Sequence, residues 1–172
     1  MNTIITVSTI MSMYMNLVTD VTNTNYCYNA EIDNGRVMAM TVYNNHGESL
    51  EAKVKHEYLY DSEDRLVRKE TLKWNSLTAS WEKYSCLDYS YVDGSYTVEK
   101  MMWDNTRNEY AEAGEYSHYT VLLDNVLAVN SFKMDSRTGE YVEAERILVM
   151  NIHGDNLIAA TMYCIKHKYH QQ

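Results

Sequence analysis

Large apolar residues recur along this chain in pairs seven positions apart. Tyr43 and Leu50, Trp74 and Trp81, Trp103 and Tyr110, and Met134 and Tyr141 each enclose six residues that begin with Asn or Asp. The enclosed stretches, 44–49, 75–80, 104–109 and 135–140, are dominated by residues whose side chains bond nearby backbone rather than support a ladder, so each reads as a hairpin loop. Shorter Asp-containing connections lie between them at 60–66, 92–96, 123–126 and 154–157. The segments ending at Asp61, Asp93, Asp124 and Asp155 are spaced by 32, 31 and 31 residues, a repeat of about 31.

The runs between these turns are rich in Val, Tyr, Thr and Ile, as strands prefer. Nine strands are expected, near 36–43, 50–60, 65–74, 81–92, 96–103, 110–123, 126–134, 141–152 and 157–169. Every connection is short, so consecutive strands should pair antiparallel as an up-and-down meander. Nine strands with open edges and not one proline to blunt them would invite aggregation. The expected fold is therefore all-β, a meander of hairpin repeats strongly curved or closed into a barrel, with an open single-layer sheet as the alternative.

Strict alternation assigns each strand residue to one of two faces. One face collects the loop-flanking pairs together with Leu50, Ala52, Val54, His56, Tyr58 and Tyr60, while Glu51, Lys53, Lys55 and Glu57 form a wet opposite side. The same register gives the first face a polar band of Arg68, Glu70, Lys83, Glu99, Glu112, Glu143 and Glu145 near mid-strand. Unpaired buried charge is very costly, so the band must be paired, hydrated or open. The other face turns apolar late in the chain, through Leu127, Val129, Val142, Leu148 and Met150, and needs a cover. Residues 1–25, apolar and uncharged before Asp20, are the expected cover, as a degenerate signal, an ordered strand or a short helix; residues 26–172 form the repeat domain.

Composition narrows the function. A formal charge of -9 repels phosphate backbones and anionic headgroups, which argues against nucleic-acid and membrane-surface binding. The N-terminal segment is too short and too rich in Ser and Thr to span a bilayer. Cys27, Cys86 and Cys164 are an odd set without ligand-like spacing; small buried or half-buried thiols are expected, with one bridge and one free thiol as the alternative. No metal motif, phosphate loop, nucleophile elbow or dinucleotide fingerprint occurs, so neither metal nor cofactor is expected.

Two sets of residues remain as candidate chemistry. Trp74, Trp81, Trp103, Tyr110 and Tyr141 recur at hairpin ends, where rings either staple the register or stack on a sugar or peptide. The glutamates of the polar band could act as a general acid/base pair only if two met about 5–9 Å apart. With Arg68 and Lys83 among them, a salt-bridged surface is the simpler expectation.

The run Tyr60-Asp61-Ser62-Glu63-Asp64-Arg65-Leu66, followed by Lys73-Trp74-Asn75 and Trp81-Glu82-Lys83-Tyr84, resembles the Tyr-Asp-x-x-x-Arg-Leu then Trp-Asn/Asp-x5-Trp pattern of domain-of-unknown-function family 3836, found in gut Bacteroidales. The resemblance covers roughly residues 26–165 and is strongest over 58–92. It implies an all-β secreted or periplasmic protein of unknown activity made with a signal peptide, which in this chain is degenerate or incomplete. The leading functional expectation is a non-enzymatic exported β-repeat protein that binds a glycan, a peptide or a surface partner. A small-ligand carrier using a barrel interior is the alternative, and a glycoside hydrolase-type enzyme a third.

Overall fold

A computed structural model of the chain describes residues 4–123, 126–150 and 163–166. Its elements are a helix α1 (Val7–Thr19) and strands β1 (Tyr26–Asp33), β2 (Arg36–Asn45), β3 (Leu50–Tyr60), β4 (Leu66–Asn75), β5 (Ser80–Val92), β6 (Ser95–Asp104), β7 (Glu109–Tyr110), β8 (Glu115–Leu123), β9 (Val126–Met134), β10 (Tyr141–Met150) and β11 (Tyr163–Lys166). The strand order is β1-β2-β3-β4-β5-β6-β8-β9-β10-β11, with β7 paired to β6 beside that path. The antiparallel meander of hairpin repeats is thus present, and strand bounds from β2 to β10 fall within one or two residues of the sequence reading, the split of 110–123 into β7 and β8 aside.

Closure is not. Among the described residues β1 ends the order with β2 as its one neighbour, so the open alternative holds. The exposed edge is protected by other means than proline. Glu31 and Asp33 put charge on β1, and the register shifts beside Glu31 and Ile32, both devices that discourage edge-to-edge pairing. β1 lies outside the nine strands expected from the sequence. Its turn, Asp33-Asn34-Gly35-Arg36, carries positive φ at Asn34 (48°) and Gly35 (78°), the conformation for which Asn-Gly is the strongest short hairpin signal.

The hairpin loops obey a repeated local chemistry. The Oδ1 atoms of Asn75, Asp104 and Asp135 each accept the amides two and three residues on, at 2.8–2.9 Å for Leu77, Thr106 and Arg137. Four residues after each, Ala79, Asn108 and Gly139 take positive φ of 50°, 55° and 73°. Three of the expected loop-end pairs face one another directly: Trp74 with Trp81, Trp103 with Tyr110 and Met134 with Tyr141. The fourth does not, because Tyr43 opposes Ala52 while Leu50 opposes Asn45.

The first loop closes between Asn45 and Leu50, which leaves Tyr43 opposite Ala52; a different irregularity is common to the repeats. An extra residue stands in the ladder at Lys53, at Tyr84 and at Ala144, each three positions after its loop-end residue. The corresponding place after Tyr110 is Ala113, inside the 111–114 break between β7 and β8. Further register shifts fall near Met38, Val67 and Leu122. Each bulge inverts the side-chain alternation beyond it, so faces assigned by strict period two do not survive.

The chain divides into two units. The first comprises Ile5–Asp88 with Met101–Ala111, and the second holds Tyr89–Lys100 and the described residues from Glu112 onward. In the first unit α1 lies against β2 and β1. Its thirteen residues carry no acid in the first turn and no base in the last, and a helix this short is marginal unless packing supports it. The chain leading into it hydrogen bonds the start of β4 and the turn before it: the amide of Leu66 to the Ile5 carbonyl at 2.8 Å, the amide of Val7 to the Asp64 carbonyl at 3.0 Å. Val37, Met40, Tyr58, Leu66 and Ile10 are buried there. Residues 7–19 therefore cover early strands, where the sequence reading had placed 1–25 over the late ones. The mismatch again follows from a bulge: beyond Ala144, Ile147 and Val149 share a face with Val129 and Leu127, while Leu148 points the other way. The expected connection at 154–157 lies outside the described residues.

Candidate functional site

In the first unit, unbroken alternation along β4 puts Arg68, Glu70, Leu72 and Trp74 on one face. Their partners on β5 are Asp88, Cys86, Lys83 and Trp81. Trp74 and Trp81 meet edge to face with ring centroids 5.1 Å apart at 67°. Trp103 and Tyr110 repeat the arrangement across β6 and β7, at 5.0 Å and 75°. T-shaped pairs of this kind add about 0.5–1.5 kcal/mol beyond the area they bury. All four rings are half-buried, so each retains solvent-facing surface.

The ions between the ring pairs are matched. Lys83 Nζ sits 3.1 Å from Glu70 Oε1 and lies over the rings of Trp103 and Tyr110, 4.9 and 5.6 Å from their centroids. Tyr110 donates its phenol to the same Glu70 oxygen. Burial, and then this carboxylate, push the Tyr110 phenol well above its ordinary range. Beside them Arg68 makes two parallel bonds to Asp88, at 2.6 and 2.5 Å, the bidentate geometry in which guanidinium and carboxylate fit best. Cys86, buried on this face, has its thiol pushed up to about 11, first by burial and then by Asp88. It and half-buried Cys27 are free thiols; the Cys164 side chain lies outside the described residues.

The opposite face of β3 and β4 is set by the bulge at Lys53. Val54, His56 and Tyr58 pair there with Lys73, Thr71 and Lys69. Leu50 and Ala52 fall on the tryptophan side with Lys55 and Glu57, which the sequence reading had put on a separate wet face.

The rest of the expected polar band lies in the second unit and does not hold together as a band. Glu99 and Glu143 share a face with Tyr116 and Phe132, whereas Glu145 faces the other way opposite Ser131, because the bulge at Ala144 separates it from Glu143. Glu112 stands in the 111–114 break and on no strand. Tyr141 likewise belongs to the second unit: its ring packs edge-on to Tyr116 at 4.9 Å, and its phenol donates to the Ala113 carbonyl. A separate phenol cluster, unread in the sequence, joins Tyr96 to Tyr119 in a parallel stack at 4.4 Å, with Tyr91 at 5.9 Å from Tyr96. Among the described residues no group of three or more His, Cys, Asp or Glu is placed to hold a metal ion, and no helix is long and apolar enough to cross a membrane.

A sequence model of the family of unknown function DUF3836 matches residues 1–121. The crystal structure of a DUF3836 family protein from Bacteroides vulgatus is 36% identical and aligns with a TM-score of 0.51 over 52% of this chain and 91% of that one. A protein of unknown function from Bacteroides fragilis shares the fold at a TM-score of 0.63 and 21% identity, over 73% of this chain and 92% of its own. No curated protein matches the chain.

Proposed function

Since the chain belongs to the DUF3836 family, whose function is unknown, we propose its role from its own surface: it is an exported, non-enzymatic β-repeat protein that binds a glycan through the tryptophan face of the first unit. The observation that carries this reading is the convergence of half-exposed Trp74, Trp81 and Trp103 with charges already paired to one another. Such a face offers ring surface and hydrogen-bonding edges with little unbalanced charge. A hydroxyl-rich, uncharged ligand can join these pairs without breaking them, while a charged peptide would have to displace one member of each. The carrier alternative needs a barrel interior, and the open strand order gives it no support. Acid/base hydrolysis is likewise unsupported, since Glu70 is engaged by Lys83 and Tyr110 and the other band glutamates lie in the second unit.

Affinity gel electrophoresis against soluble neutral polysaccharides (dextran, galactomannan, xyloglucan and arabinoxylan) tests the reading. Retention by at least one, weakened roughly tenfold in Trp74→Ala and Trp81→Ala as loss of a stacked ring implies, is the expected result. Absence of retention together with unchanged tryptophan emission would overturn it. Export is tested apart from binding by fractionating cells that express the chain, and recovery in the cytoplasm alone would remove that part.

A further inference from the structure

On one face of the second unit, Thr97, His118, Asn130 and Arg146 stand directly opposite one another across β6, β8, β9 and β10. Residues opposed in this way are neighbours on the same side of a sheet. His118 Nδ1 and Thr97 Oγ1 are 3.0 Å apart. Arg146 commits Nε and Nη2 to Glu143, at 2.9 and 3.2 Å, and leaves Nη1 outside that pair. Between them Asn130 Oδ1 is buried and accepts no hydrogen bond, the one such side-chain atom among the described residues. A buried acceptor normally has a donor, so an orphan is a place where a donor from outside is missing.

The next row along the same face is aromatic. Tyr116 and Phe132 stack in parallel, centroids 4.7 Å apart at 15°, and Tyr141 closes the group edge-on to Tyr116. Stacked on each other, the two rings form an apolar wall beside a row of an unused acceptor, an imidazole and a guanidinium, which suits a ligand with an apolar side and hydroxyls at its rim.

We propose that this face of the second unit is a sugar-binding subsite, in which a ring hydroxyl donates to Asn130 Oδ1 and accepts from Arg146 Nη1 while the apolar side of the sugar packs against the Tyr116–Phe132 pair. The subsite rests on the glycan reading above but on none of its residues. Arg146, opposite Asn130, is exposed and long enough to move with a ligand that approaches the buried oxygen.

The test uses the full chain and the same four polysaccharides. Asn130→Leu removes an unsatisfied buried oxygen, so a purely structural Asn130 predicts an unchanged or higher Tm and unchanged retention. The subsite predicts that Asn130→Leu weakens retention about tenfold, as for a lost hydrogen bond, while Tm does not fall. Arg146→Ala, at an exposed position, should weaken it comparably in a folded protein. If wild type is retained and Trp74→Ala weakens it while Asn130→Leu and Arg146→Ala do not, the subsite is overturned and the tryptophan face stands. If the two second-unit variants alone lose retention, the subsite stands and the tryptophan face falls. Should no polysaccharide retain the wild type or change its tryptophan emission, both are overturned.

Discussion

Tyr110 donates its phenol to Glu70, forty residues earlier in the chain, at the carboxylate oxygen that Lys83 also approaches. The carboxylate's side chain is 18% exposed, so its partners matter more than those of a surface ion. Tyr110→Phe keeps the edge-on ring contact with Trp103 and deletes one bond to a charged group. It should lower unfolding stability by about 1.5–3 kcal/mol in urea. Glu70→Gln in the Tyr110→Phe background should then cost less than Glu70→Gln alone, and strict additivity of the two would show that the bond contributes nothing.

The hairpin loops make a second test, because one backbone conformation is held by three different residues. Ala79 carries its φ of 50° against the penalty that a Cβ imposes in the left-handed region, whereas Gly139 at 73° does not. Ala79→Gly should raise stability by about 0.5–1 kcal/mol, and Gly139→Ala should lower it by at least as much. Nothing lies within 4 Å of a Cβ built at Gly139, so the cost there is one of backbone and not of contact.

The same comparison shows what could be read from the sequence. Loops and strand bounds were legible because turn chemistry is local: Asn75, Asp104 and Asp135 announce their own hydrogen bonds. Arg68, Glu70, Leu72 and Trp74 were placed together because β4 has no bulge between them. Faces failed where Lys53, Tyr84 and Ala144 each add a residue, since these three share a position in the repeat and no side-chain chemistry. The Asn34-Gly35 turn between β1 and β2 is as local a signal as the other loops, with positive φ at both residues. Asn130 was illegible for a different reason, because an orphaned acceptor is defined by what stands opposite it and not by its neighbours in sequence.

Acid sensitivity should concentrate at His56. Burial first, and then the charge of Lys69, lower its imidazole from 6.5 to about 4, and its Nδ1 lies 3.1 Å from Thr71 Oγ1. Between those two values the unfolded chain takes up a proton that the folded chain refuses. Stability is therefore full above about pH 6.5 and falls as the pH drops toward 4, by an amount on the order of 3 kcal/mol. Urea titrations at pH 7 and pH 4.5 should show this loss in the wild type and a smaller one in His56→Gln. An equal loss in both would assign the acid limb to other groups.

Lys69 explains part of that shift and supplies the last prediction. It stands opposite Tyr58 on β3 and Leu87 on β5, and burial pushes its ammonium below the usual lysine range. Burial that lowers the folded pKa of a base disfavours its charged form in the folded state, so wherever the group is protonated the charge works against folding. Lys69→Met keeps much of the side-chain length and removes the charge, and a flexible thioether fills an irregular apolar site well. The variant should be more stable than wild type at pH 7 by about 1 kcal/mol, as for relief of a partly desolvated charge. It should also let His56 titrate closer to 6.5, because the repelling charge is gone, so the wild-type loss between pH 7 and pH 4.5 shrinks. The two readouts are independent in sign: a less stable Lys69→Met at pH 7 would mean that the ammonium is favourably bound where it sits, and an unchanged acid limb would mean that burial alone sets His56.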